Sequence, residues 1–243
     1  MDAKAMDLYG QSLRDFLNGD ISAKVIVHRD DGYSDEMPTS VFFRTPLDFS
    51  PIEQKALELC KGYILDIGAG AGCHSLALQD RGMSVLAIDI SPHAIDVMTK
   101  RGVKEVKRAD VIEFCERKFD TLLMMMHGIG IVGNLPGLDH FLTHAHTLLK
   151  PSGQIVFDSL DVRYTDDSKH LAYQEANRQA GNYFGEARTQ FEYKGEIGPS
   201  FSWLHVDPET LNEHAKRISW SCQVVYREHN GDYLAKLTSL ESV

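Results

Sequence analysis

Residues 51–158 alternate between short apolar runs and segments with helical signals, and this alternation limits the possible folds more than any other feature of the chain. The rhythm is typical of βαβ units, whose strands form a mostly parallel sheet covered by helices. Strands are predicted at 63–67, 84–88, 103–107, 119–126 and 154–157. Two more strands, 219–227 and 233–240, are predicted around Asn230-Gly231, a dipeptide typical of hairpin turns. The chain is therefore expected to have an α/β fold.

The core of the fold is expected to span residues 50–243. Two stretches of the chain lack the alternating pattern. Residues 1–49 carry a short amphipathic helix, with Leu13 and Phe16 on its apolar face, followed by an irregular segment. Residues 160–206 form an insertion rich in Tyr, Asn and Gly. Open α/β sheets bind ligands at the carboxyl ends of their strands. We therefore expect 1–49 to act as a lid and 160–206 to cover the active site.

Charge and apolar patterning exclude two classes of partner. The chain has 25 Lys and Arg against 35 Asp and Glu, a formal net charge of −10, so its field repels phosphate backbones and anionic lipids. No segment has the form of a signal peptide or approaches the ~20 apolar residues of a membrane helix. We expect a cytoplasmic protein that binds neither nucleic acid nor membrane. No cysteine spacing indicates a zinc site or a disulfide framework.

The residues with the clearest chemistry form a glycine-rich loop at 65–72, between a predicted strand and a predicted helix. Glycines let the backbone turn sharply and approach a ligand closely, and free N–H groups at a helix start favour a carboxylate or a phosphate. A nicotinamide-binding fingerprint would have its third glycine at position 73, where this chain has Cys73. The loop therefore predicts an anion-bearing ligand and disfavours NAD.

Three acidic residues lie at the carboxyl ends of three consecutive predicted strands: Asp66, Asp89 and Asp110. Asp89 ends the second strand, where a carboxylate can accept hydrogen bonds from both hydroxyls of a ribose. Such a carboxylate excludes a 2′-phosphate but not NAD. Asp110 could accept a hydrogen bond from the exocyclic amine of an adenine, although a carboxylate after a strand is often a simple turn residue.

In these motifs the chain resembles the class I S-adenosylmethionine-dependent methyltransferases. "LDIGAGAG" is similar to the first motif of that family, "AIDIS" to the second and "RADV" to the third. The resemblance is strong over residues 50–160 and looser at the C-terminal helix and hairpin. It implies a Rossmann-like twisted sheet of seven strands in the order 3-2-1-4-5-7-6, mostly parallel, with helices on both faces and an antiparallel last strand. It also implies S-adenosylmethionine as the cofactor and in-line methyl transfer to a small-molecule acceptor.

The same resemblance implies where the cofactor is held. Asp66, Gly68 and Gly70 would line its methionine end, while Asp89 would hold the ribose. Asp110 would meet the adenine. The full set of residues expected to bind the cofactor is Arg44, Asp66, Gly68, Ala69, Gly70, Gly72, Asp89, Ile90, Asp110, Val111, Met126 and His127.

His127 follows the fourth predicted strand, and the resemblance puts it with Met126 beside the methyl donor. Because histidine titrates near neutrality, His127 is the candidate catalytic base. It could equally be a residue that only orients the backbone or the cofactor. Arg44 could reach the cofactor carboxylate from the lid, or it could be a plain surface arginine.

Aromatic residues and a histidine in the insertion suit a planar, apolar or partly cationic acceptor. The residues expected to bind the acceptor are Tyr183, Tyr193, Trp203 and His205, although several aromatics of the insertion could instead pack against the sheet. No Asn-Pro-Pro-Tyr motif follows the fourth strand, which disfavours DNA bases and protein glutamine as acceptors. His140 and His144 lie four apart on a predicted helix but lack the glutamate of a metalloprotease motif, so no metal is predicted.

Two other functions stay open. An NAD-dependent oxidoreductase agrees with Asp89 and disagrees with Cys73. A methyltransferase-like protein that binds the cofactor without catalysis, as an interaction module, is the other alternative. The sequence leaves open the acceptor, the methylated atom and the oligomeric state.

Overall fold

A computed structural model describes residues 3–240 of the chain. Its α-helices are α1 (Asp7–Leu17), α2 (Pro51–Leu59), α3 (Cys73–Asp80), α4 (Pro92–Arg101), α5 (Leu135–Leu148), α6 (Ser168–Gln179) and α7 (Pro208–Arg217). Its strands are β1 (Lys24–Arg29), β2 (Ser34–Pro38), β3 (Tyr63–Ile67), β4 (Ser84–Asp89), β5 (Glu105–Arg108), β6 (Phe119–Met124), β7 (Leu149–Leu160), β8 (Glu186–Tyr193), β9 (Glu196–Ile197), β10 (Phe201–Leu204), β11 (Trp220–Arg227) and β12 (Asp232–Ser239). Short 3₁₀ helices lie at Ala3–Met6, Thr39–Phe42, Pro46–Asp48 and Gly128–Val132.

The larger sheet has seven strands in the order β11-β12-β7-β6-β3-β4-β5. β4 is parallel to both β3 and β5, and β6 is parallel to β7. β12 is antiparallel to both β7 and β11. Numbered along the chain within this sheet, the order is 3-2-1-4-5-7-6 with the seventh strand antiparallel. The predicted fold class is confirmed.

A smaller sheet has the order β10-β8-β1-β2, with β9 paired to β8. β1 and β2 form a hairpin, and β1 also runs antiparallel to β8, so that Ile26 lies opposite Glu192. The prediction of an irregular segment after the first helix was therefore wrong. The strand at β1 is stabilised by pairing with a strand far along the chain, and the local sequence carries no signal for such a partner.

The described residues divide into two compact units. The first contains the described residues up to Ser50, Tyr63–Phe114 and Arg188–Phe201. The second contains Pro51–Gly62, Cys115–Ala187 and the described residues from Ser202 onward. The expected roles of 1–49 as a lid and of 160–206 as an active-site cover stay predictions. No helix within residues 3–240 is long and apolar enough to cross a membrane.

Each unit has its own apolar core. In the first, α1 packs on α4, and Leu13 lies in a buried cluster with Ala71, Ala94 and Val97. In the second, the fully buried Trp220 donates a hydrogen bond from its indole N–H to the carbonyl of Leu142 (3.0 Å). Each fully buried large apolar side chain contributes about 1.5–3 kcal/mol, so these clusters hold the elements that carry the polar sites.

Candidate functional site

The loop between β3 and α3 has three glycines in the left-handed backbone region. Their φ angles are +68° at Gly68, +56° at Gly70 and +78° at Gly72, a conformation that glycine adopts without the steric penalty of a Cβ. A Cβ on Gly68 would meet no atom within 4 Å, so open space lies in front of that residue. A Cβ on Gly72 would press on Val103 (2.9 Å) and Met98 (3.0 Å). The loop is therefore open at Gly68 and tightly packed at Gly72.

Asp66 lies in β3, directly before this loop. Its carboxylate is buried and accepts a hydrogen bond from the hydroxyl of Ser75 on α3 (2.5 Å). Burial raises the pKa of Asp66, while the charge of His74 and the hydrogen bond from Ser75 oppose the rise. Asp66 thus ties the end of the strand to the helix that follows the loop.

Asp89 ends β4 and holds the loop from the neighbouring strand. Its Oδ2 accepts the backbone N–H of Gly70 (3.0 Å), and its Oδ1 accepts that of Ser91 (2.8 Å). Burial raises the pKa of Asp89, the two backbone hydrogen bonds lower it, and the charge of Asp66 raises it further. A carboxylate oxygen can accept more than one hydrogen bond. Asp89 can therefore anchor the loop and still accept bonds from ligand hydroxyls.

The remaining residues predicted after β4 and β5 have local contacts. Asp110 Oδ1 accepts the backbone N–H of Ile112 (3.0 Å), which makes it a turn residue as well as a candidate ligand contact. Val111 is buried. The carbonyl of Ile90 accepts a hydrogen bond from Arg108 Nε (3.0 Å). Because β3, β4 and β5 are parallel, their carboxyl ends, with Asp66, Asp89 and Asp110, lie along one edge of the sheet.

Arg44 has contacts within its own segment. Its Nε donates a hydrogen bond to the carbonyl of Val41 (2.7 Å), and its guanidinium carbon lies 5.8 Å from the ring centroid of Phe49. A role for Arg44 at the cofactor carboxylate stays a prediction.

Tyr9, on α1, also lies at the glycine loop, although it is not among the residues predicted for the site. Its hydroxyl oxygen is 2.6 Å from the position that a Cβ on Gly70 would occupy. Burial, together with the negative charge of Asp89, raises the pKa of Tyr9 well above its ordinary value. A tyrosine on an amphipathic helix normally signals only packing, so no sequence pattern could have identified this contact.

A second polar cluster lies in the second unit, around His127. Both Met126 and His127 have positive φ angles, +60° and +57°. The backbone N–H of His127 donates to Asp158 Oδ2 (3.0 Å), and its ring Nε2 lies 2.9 Å from Asp232 Oδ1. Burial disfavours protonation of His127, but the hydrogen bond to Asp232 and the charge of Asp158 outweigh it, and the pKa of His127 is raised.

His205 lies next to His127, with the ring centroids 5.5 Å apart and the planes at 82°. The Nδ1 atom of His205 is buried and has no hydrogen-bond partner. Burial and the neighbouring charge of His127 lower the pKa of His205 to about 3. The same cluster includes Gly130, where a Cβ would collide with the indole of Trp203. Of the predicted acceptor residues, His205 therefore lies against His127, and Trp203 packs on the 3₁₀ helix that follows His127.

The two predicted tyrosines have structural partners. The Tyr183 hydroxyl donates to Asp207 Oδ2 (2.6 Å), and the Tyr193 hydroxyl donates to Asp15 Oδ2 (3.0 Å). Either hydroxyl would have to exchange a charge-assisted hydrogen bond to contact an acceptor. Within residues 3–240, no group of three or more His, Cys, Asp or Glu side chains is arranged to hold a metal ion.

The residues of the loop fit an adenosyl cofactor with an amino-acid tail. The open space at Gly68 allows such a tail to approach the backbone. The two anchored oxygens of Asp89, each with a remaining lone pair, can accept the hydroxyls of a ribose. Burial of Asp66 and Asp89 strengthens the hydrogen bonds that they accept, because the local dielectric is low.

Comparison with known proteins finds a matching family model and similar solved structures. A family model described as a methyltransferase domain matches residues 64–153. The chain is similar to a solved structure of an S-adenosylmethionine-dependent methyltransferase from Bacteroides fragilis in complex with S-adenosyl-L-homocysteine. The two are 34% identical, the match covers 97% of this chain and 96% of that one, and the TM-score is 0.85.

Curated relatives match over shorter segments. A demethylmenaquinone methyltransferase from Tropheryma whipplei is 29% identical over 99 residues, which cover 38% of this chain and 39% of the relative. A ubiquinone biosynthesis O-methyltransferase from Actinobacillus pleuropneumoniae is 26% identical over 128 residues, which cover 48% of this chain and 53% of the relative. The matched part of the chain thus spans only about 39% to 53% of the length of these two relatives.

Proposed function

The chain belongs to the family of S-adenosylmethionine-dependent methyltransferases, and on that premise we propose that it transfers a methyl group from S-adenosylmethionine to a small-molecule acceptor by in-line displacement. One observation carries the proposal. The loop at 68–72 has three glycines with positive φ, and Asp89 is fixed to its backbone through the N–H of Gly70. This arrangement joins an open backbone surface to a preorganised carboxylate.

The protein contributes mainly positioning to such a reaction. When bound, S-adenosylmethionine supplies an electrophilic methyl group on a sulfonium, and its sulfur becomes a neutral thioether as the bond to the acceptor forms. Asp89 is preorganised to hold the ribose, and Gly68 leaves room for the amino-acid tail. Holding two reactants in a near-attack geometry can lower a barrier by about 7–11 kcal/mol, which makes a rigid loop more valuable than acid chemistry.

An acceptor that carries a hydroxyl or a protonated amine also needs a base, and we assign that role to His127. Its Nε2 is fixed by Asp232 at 2.9 Å, so Nδ1 is the ring nitrogen that would receive the proton. The carboxylate orients the ring and stabilises the imidazolium that forms. A positioned base of this kind contributes roughly 10²–10⁴-fold to a rate.

The charge around His127 favours a neutral or cationic acceptor. Asp158 and Asp232 lie within hydrogen-bonding reach of His127, whereas His205 stays neutral at ordinary pH. Even with His127 protonated, the two carboxylates leave one net negative charge, which repels an anionic acceptor. The names of the curated relatives refer to demethylmenaquinone and to ubiquinone biosynthesis. Hydroxylated quinols, whose hydroxyl must lose a proton, are therefore sensible first acceptors to assay.

Calorimetric titration tests the cofactor assignment. We expect the wild type to bind S-adenosylmethionine and S-adenosylhomocysteine and not to bind NAD. Asp89→Asn should weaken S-adenosylhomocysteine binding by roughly 10–100-fold, because the ribose loses charge-assisted hydrogen bonds. Asp96→Asn, which removes an exposed carboxylate paired with Lys100 on α4, is the matched control and should leave binding unchanged. Binding of NAD alone would overturn the proposal in favour of an oxidoreductase.

Release of S-adenosylhomocysteine in the presence of acceptors tests catalysis. Neutral quinols and hydroxyl- or amine-bearing aromatics should be methylated in preference to their carboxylated analogues. With an active acceptor, His127→Gln should lower kcat by roughly 10²–10⁴-fold. Cofactor binding without turnover of any acceptor would favour the non-catalytic interaction module.

A further inference from the structure

Helix α1 makes an unusually close contact with the start of α4. Gly10 is the fourth residue of α1, and glycine disfavours a helix. A Cβ at this position would collide with Ser91 Oγ and lie 3.0 Å from the Cβ of His93. The glycine therefore allows α1 to pack directly against the residues that follow β4, next to Asp89.

The same packing brings α1 to the glycine loop. Leu13 on α1 is fully buried in a cluster that includes Ala71 of the loop. Arg101 Nη1 on α4 donates hydrogen bonds to the carbonyl of Ala71 (2.5 Å) and to that of Phe42 (3.4 Å). Apolar and polar contacts thus join the glycine loop to α4 and to the N-terminal segment of the first unit.

The ring of Tyr9 is held on two sides by aromatic side chains. Phe42 meets it edge-on at 5.0 Å between centroids, and Phe191 lies 5.9 Å away at an angle of 31°. These contacts fix the ring so that its hydroxyl points at Gly70, whose N–H is bonded to Asp89. A phenylalanine would fill the same aromatic niche, so packing alone does not account for the hydroxyl.

We propose that Tyr9 is a cofactor-binding residue supplied by α1, and that packing of α1 and binding of the cofactor are a single linked equilibrium. The proposal rests on the proposed function, because it takes the loop to be the cofactor site. The Tyr9 hydroxyl keeps its proton at neutral pH and can donate a hydrogen bond to an acceptor atom of the cofactor. By thermodynamic linkage, a bound cofactor must stabilise the packed α1 by the same factor by which packed α1 tightens cofactor binding.

Calorimetric titration with S-adenosylhomocysteine is the first test. Tyr9→Phe keeps the aromatic contacts and should raise Kd by roughly 10-fold, the effect of losing one hydrogen bond to a polar ligand. Tyr63→Phe is the matched control, because it removes a hydroxyl of the same unit that is bonded to Glu105 (3.0 Å) and lies at the amino end of β3, not on α1 or the loop. The control should keep the wild-type Kd.

Hydrogen exchange at the amides of 7–17 is the second test. S-adenosylhomocysteine should slow exchange of these amides in the wild type and in Tyr63→Phe, and slow it less in Tyr9→Phe. Gly10→Ala favours the isolated helix but forces it away from Ser91. It should also weaken binding, although Tyr9 itself is unchanged.

The outcomes separate the two proposals. If the wild type binds S-adenosylhomocysteine and Tyr9→Phe has the same Kd as Tyr63→Phe, the inference about Tyr9 is overturned and the proposed function stands. If the ligand leaves exchange of α1 unchanged in the wild type, the linkage is overturned. If the wild type does not bind the ligand at all, both the proposed function and this inference fail.

Discussion

The glycine loop and the His127 cluster are built in opposite ways. The loop is made of backbone: a continuous segment at 66–72 with three positive φ angles, held by Asp89 through the backbone N–H of Gly70. The His127 cluster is made of side chains from distant parts of the sequence, and its members meet only after folding. Asp158, His205 and Asp232 each come from a different segment of the second unit.

This difference separates what is generic from what is specific in such a protein. A backbone cradle recognises a shape and tolerates changes in many neighbouring side chains, because main-chain groups do the binding. A side-chain cluster depends on which groups carry protons, so one substitution can change its chemistry. We expect the loop to fail when its geometry is disturbed, and the cluster to fail when its charges are disturbed.

The largest effect is expected at the most constrained point of the loop. The backbone at position 70 has a left-handed conformation, which costs a branched residue about 1–2 kcal/mol. In Gly70→Val the Cβ of the valine would also collide with the Tyr9 hydroxyl. The backbone strain and the collision together should displace the loop and weaken S-adenosylhomocysteine binding by roughly 100-fold in a calorimetric titration.

Gly82→Val is the matched control for this substitution. Gly82 has a φ of +79°, but no atom lies within 4 Å of a Cβ built there. The variant should lose stability through the same backbone strain and retain S-adenosylhomocysteine affinity within about twofold, since distant sites act independently. Equal loss of affinity in both variants would mean that general destabilisation, not loop geometry, controls binding.

The second effect concerns packing beside the His127 cluster. Gly130→Ala inserts a methyl group where the indole of Trp203 lies, and overpacking of this kind costs about 1–3 kcal/mol. Denaturant unfolding should show a lower midpoint at an unchanged slope. In Gly128→Ala, in the same 3₁₀ helix, the added Cβ would meet only the Cβ of Met124 at 3.2 Å, so this variant should lose less stability. The reverse ranking would contradict the packing described for Trp203.

The sequence predicted the backbone-made site much better than the side-chain-made one. The strands of the larger sheet and the glycine loop follow from local patterns in a continuous stretch, and the positions of Asp66 and Asp89 follow from the strand ends. The strand order follows from the resemblance to the methyltransferase family. Asp158 and Asp232 were missed because each is an ordinary acid in its own strand, and only the antiparallel pairing of β12 with β7 brings them to His127. Tyr9 was missed because its contact depends on the packing of α1 on α4.

The charge of the His127 cluster can be changed without changing its shape. Asp232→Asn should lower the pKa of His127, because it removes both the charge and the hydrogen bond that favour the imidazolium. NMR titration of the imidazole signals measures this directly. A folded-state pKa above the unfolded value stabilises the fold below about pH 6.5 and loses that effect as the pH rises through the folded pKa.

The stability difference between wild type and Asp232→Asn should therefore be larger at pH 6 than at pH 9. Asp139→Asn is the control, because it removes a carboxylate from a different histidine, His214, on α7. It should leave the His127 titration unchanged. An unaltered His127 pKa in Asp232→Asn would remove the argument for an oriented base.

The smallest effect at neutral pH is expected for His205. Its pKa is shifted downward, whereas the pKa of the neighbouring His127 is shifted upward. The pKa of His205 is lowered to about 3, so between pH 3 and about 6.5 the unfolded chain binds a proton that the folded chain does not. Stability should consequently fall as the pH drops through this range, by up to about 1.4 kcal/mol per pH unit. His205→Gln should match the wild type at pH 8 and lose less stability in acid, whereas His127→Gln should not reduce the acid loss. Parallel stability curves for wild type and His205→Gln would mean that His205 is protonated in the fold, and the neutral ring assigned to it beside His127 would have to be abandoned.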